Sequence, residues 1–191
     1  RPVARYRAAR AVAVARASEH RVREGELAED VSDFVRTVLM PGGPAHRPRI
    51  DPSACAFGLR LARSRVHRWG VFAAEDIPAR RRVIEYTGER ISPREGWRRR
   101  LRPQLYLFRC SPRRLIDGGI GGSGAEFINH GCEPNLAACI DHRRVFLTSL
   151  RPIAKGEELL LDYHVRGDID PIPCRCGAAQ CRGFLNDPEP A

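Results

Sequence analysis

From Asp51 onward the sequence never sustains a helical apolar stripe for long. Its apolar residues come in short segments divided by turns, and that texture dictates small sheets. Phe57, Leu59 and Leu61 alternate along one such segment, and 71–73, 82–86, 105–108, 115–116, 145–150 and 158–162 follow it. Residues 76–80, 117–124 and 155–156 carry turn chemistry. One interval, 93–102, reads as helical. The expectation is a mostly β domain with short helices. Asp117-Gly-Gly-Ile-Gly-Gly-Ser-Gly124 is dense in glycine. It lacks the Lys-Ser/Thr ending of a phosphate loop and the strand-helix setting of a dinucleotide site, and reads as a flexible turn.

Residues 1–50 have another character. Leu27, Val31, Phe34, Val35, Val38 and Leu39 form the stripe of an amphipathic helix, which Pro41-Gly42-Gly43-Pro44 stops. Upstream, alanine and arginine dominate, and both favour helix. This part is expected to be a helical extension whose stripe packs on the following domain or binds a partner. Its longest apolar stretch, Ala11 to Ala15, is far short of the roughly 20 residues of a membrane span. It is also too short for the apolar region of a secretory signal.

The 33 basic residues exceed the 23 acidic ones, giving a formal charge of +10, and Lys155 is the sole lysine. Residues 1–114 hold 26 arginines against 12 acids, whereas 115–191 hold six arginines and one lysine against 11 acids. A basic front can meet nucleic acid or another polyanion, with Arg98 to Arg102 among the candidates, and an acidic back can receive a cationic substrate. The abundance of arginine and alanine also has the look of a GC-rich genome.

Seven cysteines at irregular spacing argue against a disulfide scaffold and for a reduced compartment. Three of them crowd into Cys174-x-Cys176-x4-Cys181, a thiolate group that needs a fourth ligand to close a structural zinc site. Cys132 is the best candidate because it lies in the polar segment Phe127-Ile-Asn-His-Gly-Cys-Glu-Pro-Asn135. Cys55, Cys110 and Cys139 read as small buried hydrophobes.

Five motifs occur in order: Ser64-Arg-Val-His67-Arg68-Trp69-Gly70-Val-Phe-Ala73, Val83-Ile-Glu-Tyr86-Thr-Gly88-Glu89, the segment 127–135, Gly156-Glu-Glu-Leu-Leu-Leu161-Asp162-Tyr163, and the cysteine tail ending in Phe184-Leu185-Asn186. Together they resemble a SET domain with its post-SET zinc motif, most similar to the trithorax and Set1 branch. The resemblance implies small curved sheets with a knot-like C-terminal crossing. It divides the chain into a helical extension (1–50), a SET domain (51–166) and a post-SET zinc segment (167–191).

It also implies an S-adenosylmethionine-dependent protein lysine methyltransferase. By resemblance, His67, Arg68 and Trp69 line the cofactor through their backbone, and Asn129 and His130 hold its polar groups. Arg175, Phe184 and Leu185 cover its adenine. Tyr163 matches the tyrosine at the methyl-transfer centre, and Tyr106 matches the one that touches both cofactor and the lysine channel. Cys132, Cys174, Cys176 and Cys181 are the implied zinc ligands, with His130 left out. Three positions depart from the family pattern: Arg68 replaces a glycine, Gly131 replaces a serine, and Leu161 stands where relatives carry Phe or Tyr. Leu161 offers no hydroxyl to hold a water beside the amine, so a di- or trimethylated product is expected.

The implied substrate is a basic tail such as histone H3, and Glu157, Glu158, Asp162, Asp168 and Asp170 suit a cationic peptide. Accessory subunits are a further implied partner. The location would be chromatin in a eukaryote, or the cytoplasm or an invaded host in a bacterium. The competing reading is a catalytically weak SET-like module that binds chromatin or nucleic acid through its arginines.

Overall fold

A computed structural model describes residues 48–99, 106–165 and 171–187. Residues 1–47 of the expected helical extension, Arg100 to Arg102, and Asp168 and Asp170 lie outside these residues.

Among the described residues, ten strands and one α-helix follow Asp51, whose side chain caps the short 3-10 turn Pro52–Ala54 by accepting from Ser53 N. The strands form three small sheets. β1 (Leu59–Arg63) and β2 (Trp69–Ala73) make an antiparallel ribbon. β4 (Glu89–Ile91), β6 (Arg114–Asp117) and β5 (Leu107–Ser111) make a second sheet. The short helix α1 (Pro93–Arg99) connects toward it. The third sheet runs β3 (Arg82–Tyr86), β9 (Arg144–Ser149), β8 (Leu136–Asp141), β10 (Leu160–Leu161), β7 (Asn129–His130).

The order of that third sheet places the site. β7 and β8 are consecutive in the chain, yet β10 lies between them and runs parallel to both. Segment 131–135 must therefore pass around β10, which is the knot-like crossing. Asn135 ties it: its amide donates to Glu158 O at 2.8 Å and its carbonyl oxygen accepts from Leu160 N at 2.8 Å. Fully buried Val71, Val83, Ile116, Leu136, Leu147 and Leu159 come from all three sheets and share one core. The sheets therefore cannot move independently without exposing apolar surface.

Several local readings shift. The alternating segment 57–61 becomes strand only over Leu59–Arg63, because Gly58 turns away to bond Glu75. Segment 158–162 keeps only two ladder residues, since Leu159 N bonds Val71 O across to another sheet. Cys55, Cys110 and Cys139 are partly exposed rather than buried. The first two donate their thiols to the carbonyls of Asp51 and Arg114.

Candidate active site and tail metal centre

The crossing delivers the Tyr163 segment alongside β7. Tyr163 N donates to His130 Nδ1 at 3.3 Å, its hydroxyl donates to Ile128 O at 2.8 Å, and the two rings meet edge to face at 5.4 Å between centroids. Both ends of Tyr163 are thus held by residues flanking Asn129. Burial pushes its phenol above the ordinary tyrosine range, and Tyr106 is near enough to add to that shift. Tyr106 is raised by burial as well, packs edge to face on Phe127 at 5.6 Å, and has its carbonyl bonded by the Tyr86 hydroxyl at 2.7 Å. Two neutral phenols therefore converge here.

Asn129 braces the turn before β2. Its amide nitrogen lies 2.9 Å from Trp69 O, 2.9 Å from Glu158 Oε1 and 3.3 Å from His67 O. Two donors serve three acceptors, so the longest contact is the weakest. The turn itself carries Arg68 at φ 44°, a left-handed conformation that favours glycine. Trp69 is covered by the Arg63 guanidinium, 4.6 Å from its ring. Gly131 also has a steric reason: a β-carbon there would stand 2.9 Å from Leu160 Cβ, so the crossing leaves no room for a serine without a shift.

His130 is buried and its pKa falls to about 4, chiefly through that burial and against the pull of Asp162. It is therefore neutral at physiological pH. Because Nδ1 accepts from Tyr163, the proton is assigned to Nε2, which faces Cys132 Sγ at 3.3 Å. A ring that touches both Tyr163 and a sulfur links the two sites.

Cys132, Cys174, Cys176 and Cys181 place their sulfurs within 4.8 Å of one another. Cys132 Sγ is 3.7 Å from that of Cys174 and 3.9 Å from that of Cys181. Sulfurs about 2.3 Å from one zinc ion at tetrahedral angles stand roughly 3.8 Å apart, so the arrangement fits the ion. Without a cation the group cannot hold four thiolates. Burial pushes the Cys174 thiol up to about 12. Against the same burial, hydrogen bonds hold Cys176 near 7. A second cluster, Asp162, His164 and Asp187, is already occupied by a guanidinium rather than free for a metal.

That guanidinium is Arg182, which the sequence reading passed over. It forms a two-pronged pair with Asp162, both bonds 2.7 Å, and donates to the carbonyls of Phe184 at 3.1 Å and Leu185 at 3.0 Å. Against burial, which raises it, this fork keeps the Asp162 carboxyl below the usual carboxylate value. One side chain beside Cys181 thus fastens the tail to the residue before Tyr163. Arg175 and Phe184 are exposed, and Leu185 is partly buried.

Two charge assignments change. Glu158 is engaged by Asn129 and Asp162 by Arg182 in partly buried contacts, while Glu157 pairs with Arg151 at the surface, so each of these acids already has a partner within the chain. Arg99 contacts Glu89, Asp117 and Glu95, each at 2.7 Å, and its side chain is only 11% exposed. It anchors α1 and is unavailable to nucleic acid.

Comparison with known proteins agrees with this geometry. A Chaetomium globosum protein named "Histone-lysine N-methyltransferase, H3 lysine-4 specific" is 40% identical over 141 residues, covering 67% of this chain and 13% of that protein. Proteins with the same name from Aspergillus fumigatus and Saccharomyces cerevisiae are 34% and 41% identical, covering 96% and 66% of this chain. The chain spans only 16% and 13% of their respective lengths. The crystal structure of the Chaetomium thermophilum polycomb repressive complex 2 aligns with a TM-score of 0.53 at 34% identity, over 57% of this chain and 15% of that one. A second structure of the complex, autoinhibited and bound to S-adenosylmethionine, aligns with the same TM-score at 35% identity, over 56% and 15%. Residues 68–164, half the chain, match the SET domain family, and the protein belongs to that family.

Proposed function

We propose that this protein methylates a lysine of a basic, histone-like tail, with S-adenosylmethionine as donor. The observation that carries the reading is the convergence of Tyr163, held through Ile128 and His130, with Tyr106 beside the turn braced by Asn129. Relatives named for lysine 4 of histone H3 and a structural neighbour with S-adenosylmethionine bound support it.

When bound, S-adenosylmethionine would supply an electrophilic methyl on a sulfonium, with a neutral thioether as the leaving group for an attacking amine. The residues of this chain align the amine, guide its alkyl stem and exclude water. A lysine with an ordinary pKa near 10.4 arrives as ammonium and must lose its proton before attack. Burial keeps Tyr163 and Tyr106 protonated, so neither is the base; the proton leaves to solvent as the amine enters an apolar channel. The Tyr163 hydroxyl, committed to Ile128 O, is an orienting wall. His67, Arg68 and Trp69 present backbone to the cofactor, Asn129 and His130 its polar contacts, and Arg175, Phe184 and Leu185 its adenine cover.

Cys132, Cys174, Cys176 and Cys181 hold a structural zinc whose work is to keep the tail in place. The division proposed with it is a helical extension at 1–50, a SET domain at 51–166 and a zinc segment at 167–191. Leu161, 6% exposed and paired with His130, brings no hydroxyl to the site and favours di- or trimethylation. Chromatin is the working location. Accessory subunits, as in the polycomb assemblies, and nucleic-acid contact through arginines other than Arg99 complete the expected partners.

Labelled cofactor with a panel of basic proteins, including histone H3, tests the reading. Transfer to a lysine that falls at least a hundredfold in Tyr163→Phe supports it. Absence of both cofactor binding and transfer overturns it. Mass spectra showing only monomethyl product would overturn the role given to Leu161.

A further inference from the structure

The glycine-rich segment 117–124 has no part in the chemistry above, yet most of it is buried. It wraps around one carboxyl group. Glu126 lies on the 3-10 turn Ala125–Phe127, is 7% exposed, and accepts a hydrogen bond from Gly124 N on Oε2 at 2.8 Å. A β-carbon at Gly122 would stand 2.1 Å from Gly118 O and 2.5 Å from Glu126 Oε1. One at Gly118 would stand 2.8 Å from Glu126 Cβ and 2.9 Å from the Tyr86 hydroxyl. These glycines form a mould rather than a hinge, because side chains there would occupy the space that Glu126 and Tyr86 fill.

The mould reaches Tyr106. The Tyr106 carbonyl accepts two hydrogen bonds, from Gly118 N at 2.9 Å and from the Tyr86 hydroxyl at 2.7 Å. Both donors are in the group of atoms packed around Glu126. We infer that Glu126 is a positioning residue: by filling the glycine mould it holds Gly118 and Tyr86 against the Tyr106 carbonyl and so fixes the Tyr106 wall of the lysine channel. The channel role of Tyr106 rests on the methyltransferase reading; the hydrogen bonds do not.

The groups that face the carboxyl are Tyr86 from β3, Tyr106 ahead of β5 and Arg49 ahead of the first turn, with Asp117 at the end of β6 acting on Tyr86. Burial pushes Glu126 up to about 7, so its neutral form is well populated near physiological pH. Glutamine copies the shape of that form, whereas alanine empties the mould.

Amide hydrogen exchange on the full chain reads the Gly118 bond directly, with the buried Leu147 amide as reference for global opening. Glu126→Ala should speed Gly118 exchange at least tenfold while Leu147 is unchanged. It should also raise the peptide KM severalfold without altering S-adenosylmethionine affinity by calorimetry. Glu126→Gln should keep all of these near wild type. Equal acceleration of Gly118 and Leu147 in Glu126→Ala, or no acceleration of either, overturns the inference. Should Glu126→Ala fail to fold, Glu126→Asp, one methylene shorter and so leaving part of the mould empty, must give the same selective loss at Gly118 in smaller degree; retained protection overturns the inference. A wild-type protein that transfers no methyl sinks the methyltransferase reading, while the exchange data still decide whether Glu126 positions Tyr106.

Discussion

The five-stranded sheet and the tail at 171–187 are held by opposite means. Leu136, Val145 and Leu147 in the sheet are at most 1% exposed, so its cohesion follows apolar area removed from water. No described residue of the tail is buried. What fastens it is four cysteine sulfurs, the Arg182 fork and a few main-chain bonds, such as Cys174 N to Gly183 O at 2.8 Å and Asp187 N to Val165 O at 2.7 Å. An apolar core resists unfolding as a unit. A tail held by a guanidinium and, under the proposed reading, by a zinc ion can be released while the core persists, and such release would remove the proposed cofactor cover.

Four measurements press on that contrast. The largest effect belongs to the metal, since apparent zinc-binding energies in such sites reach about 10–16 kcal/mol. Chelation, or Cys176→Ser, should abolish S-adenosylmethionine binding by calorimetry and leave the main melting transition in place. Simultaneous loss of both would show that tail and sheet are one unit. Leu147→Ala should cost about 3 kcal/mol in denaturant unfolding, with zinc content unchanged.

Of comparable size is a pH effect at Glu126. Its pKa is raised from 4.5 to about 7, so between those values the folded protein keeps a proton that the unfolded chain has released. Stability should fall as pH rises through this window, by about 3 kcal/mol at the limit, and level off above it. Glu126→Gln should remove that slope. The smallest effect is Arg182→Gln, where loss of a partly buried pair should weaken S-adenosylmethionine binding roughly tenfold, or about 1.4 kcal/mol, with zinc retained. Loss of the metal in that variant would mean that the guanidinium supports the thiolates themselves instead of joining the tail to the Tyr163 segment.

Much of the framework was legible because it depends on neighbours in the chain. Segment 82–86 is strand, as its apolar texture indicates, and the need for a fourth thiolate led from the tail to Cys132. The glycine-rich segment was misread for want of its contents: nothing in a run of glycines tells that a carboxyl two residues downstream fills the space they leave. Arg182 was missed for a related reason. Asp162 is 20 residues away, and in a chain with 33 basic residues no spacing rule distinguishes a buried fork from surface charge. The same holds for Arg99, which read as part of a basic run and proved to be enclosed by three carboxylates.

By itself the sequence determined the residue types available, the short-strand texture and the number of sulfur ligands, because these are local or additive properties. Only the tertiary structure decided which acids neutralise which arginines, that His130 faces both Tyr163 and Cys132, and that Glu126 fills the glycine turn. The physical reason is the threading of β10 between β7 and β8, a parallel pairing of segments about 30 residues apart that no local periodicity encodes.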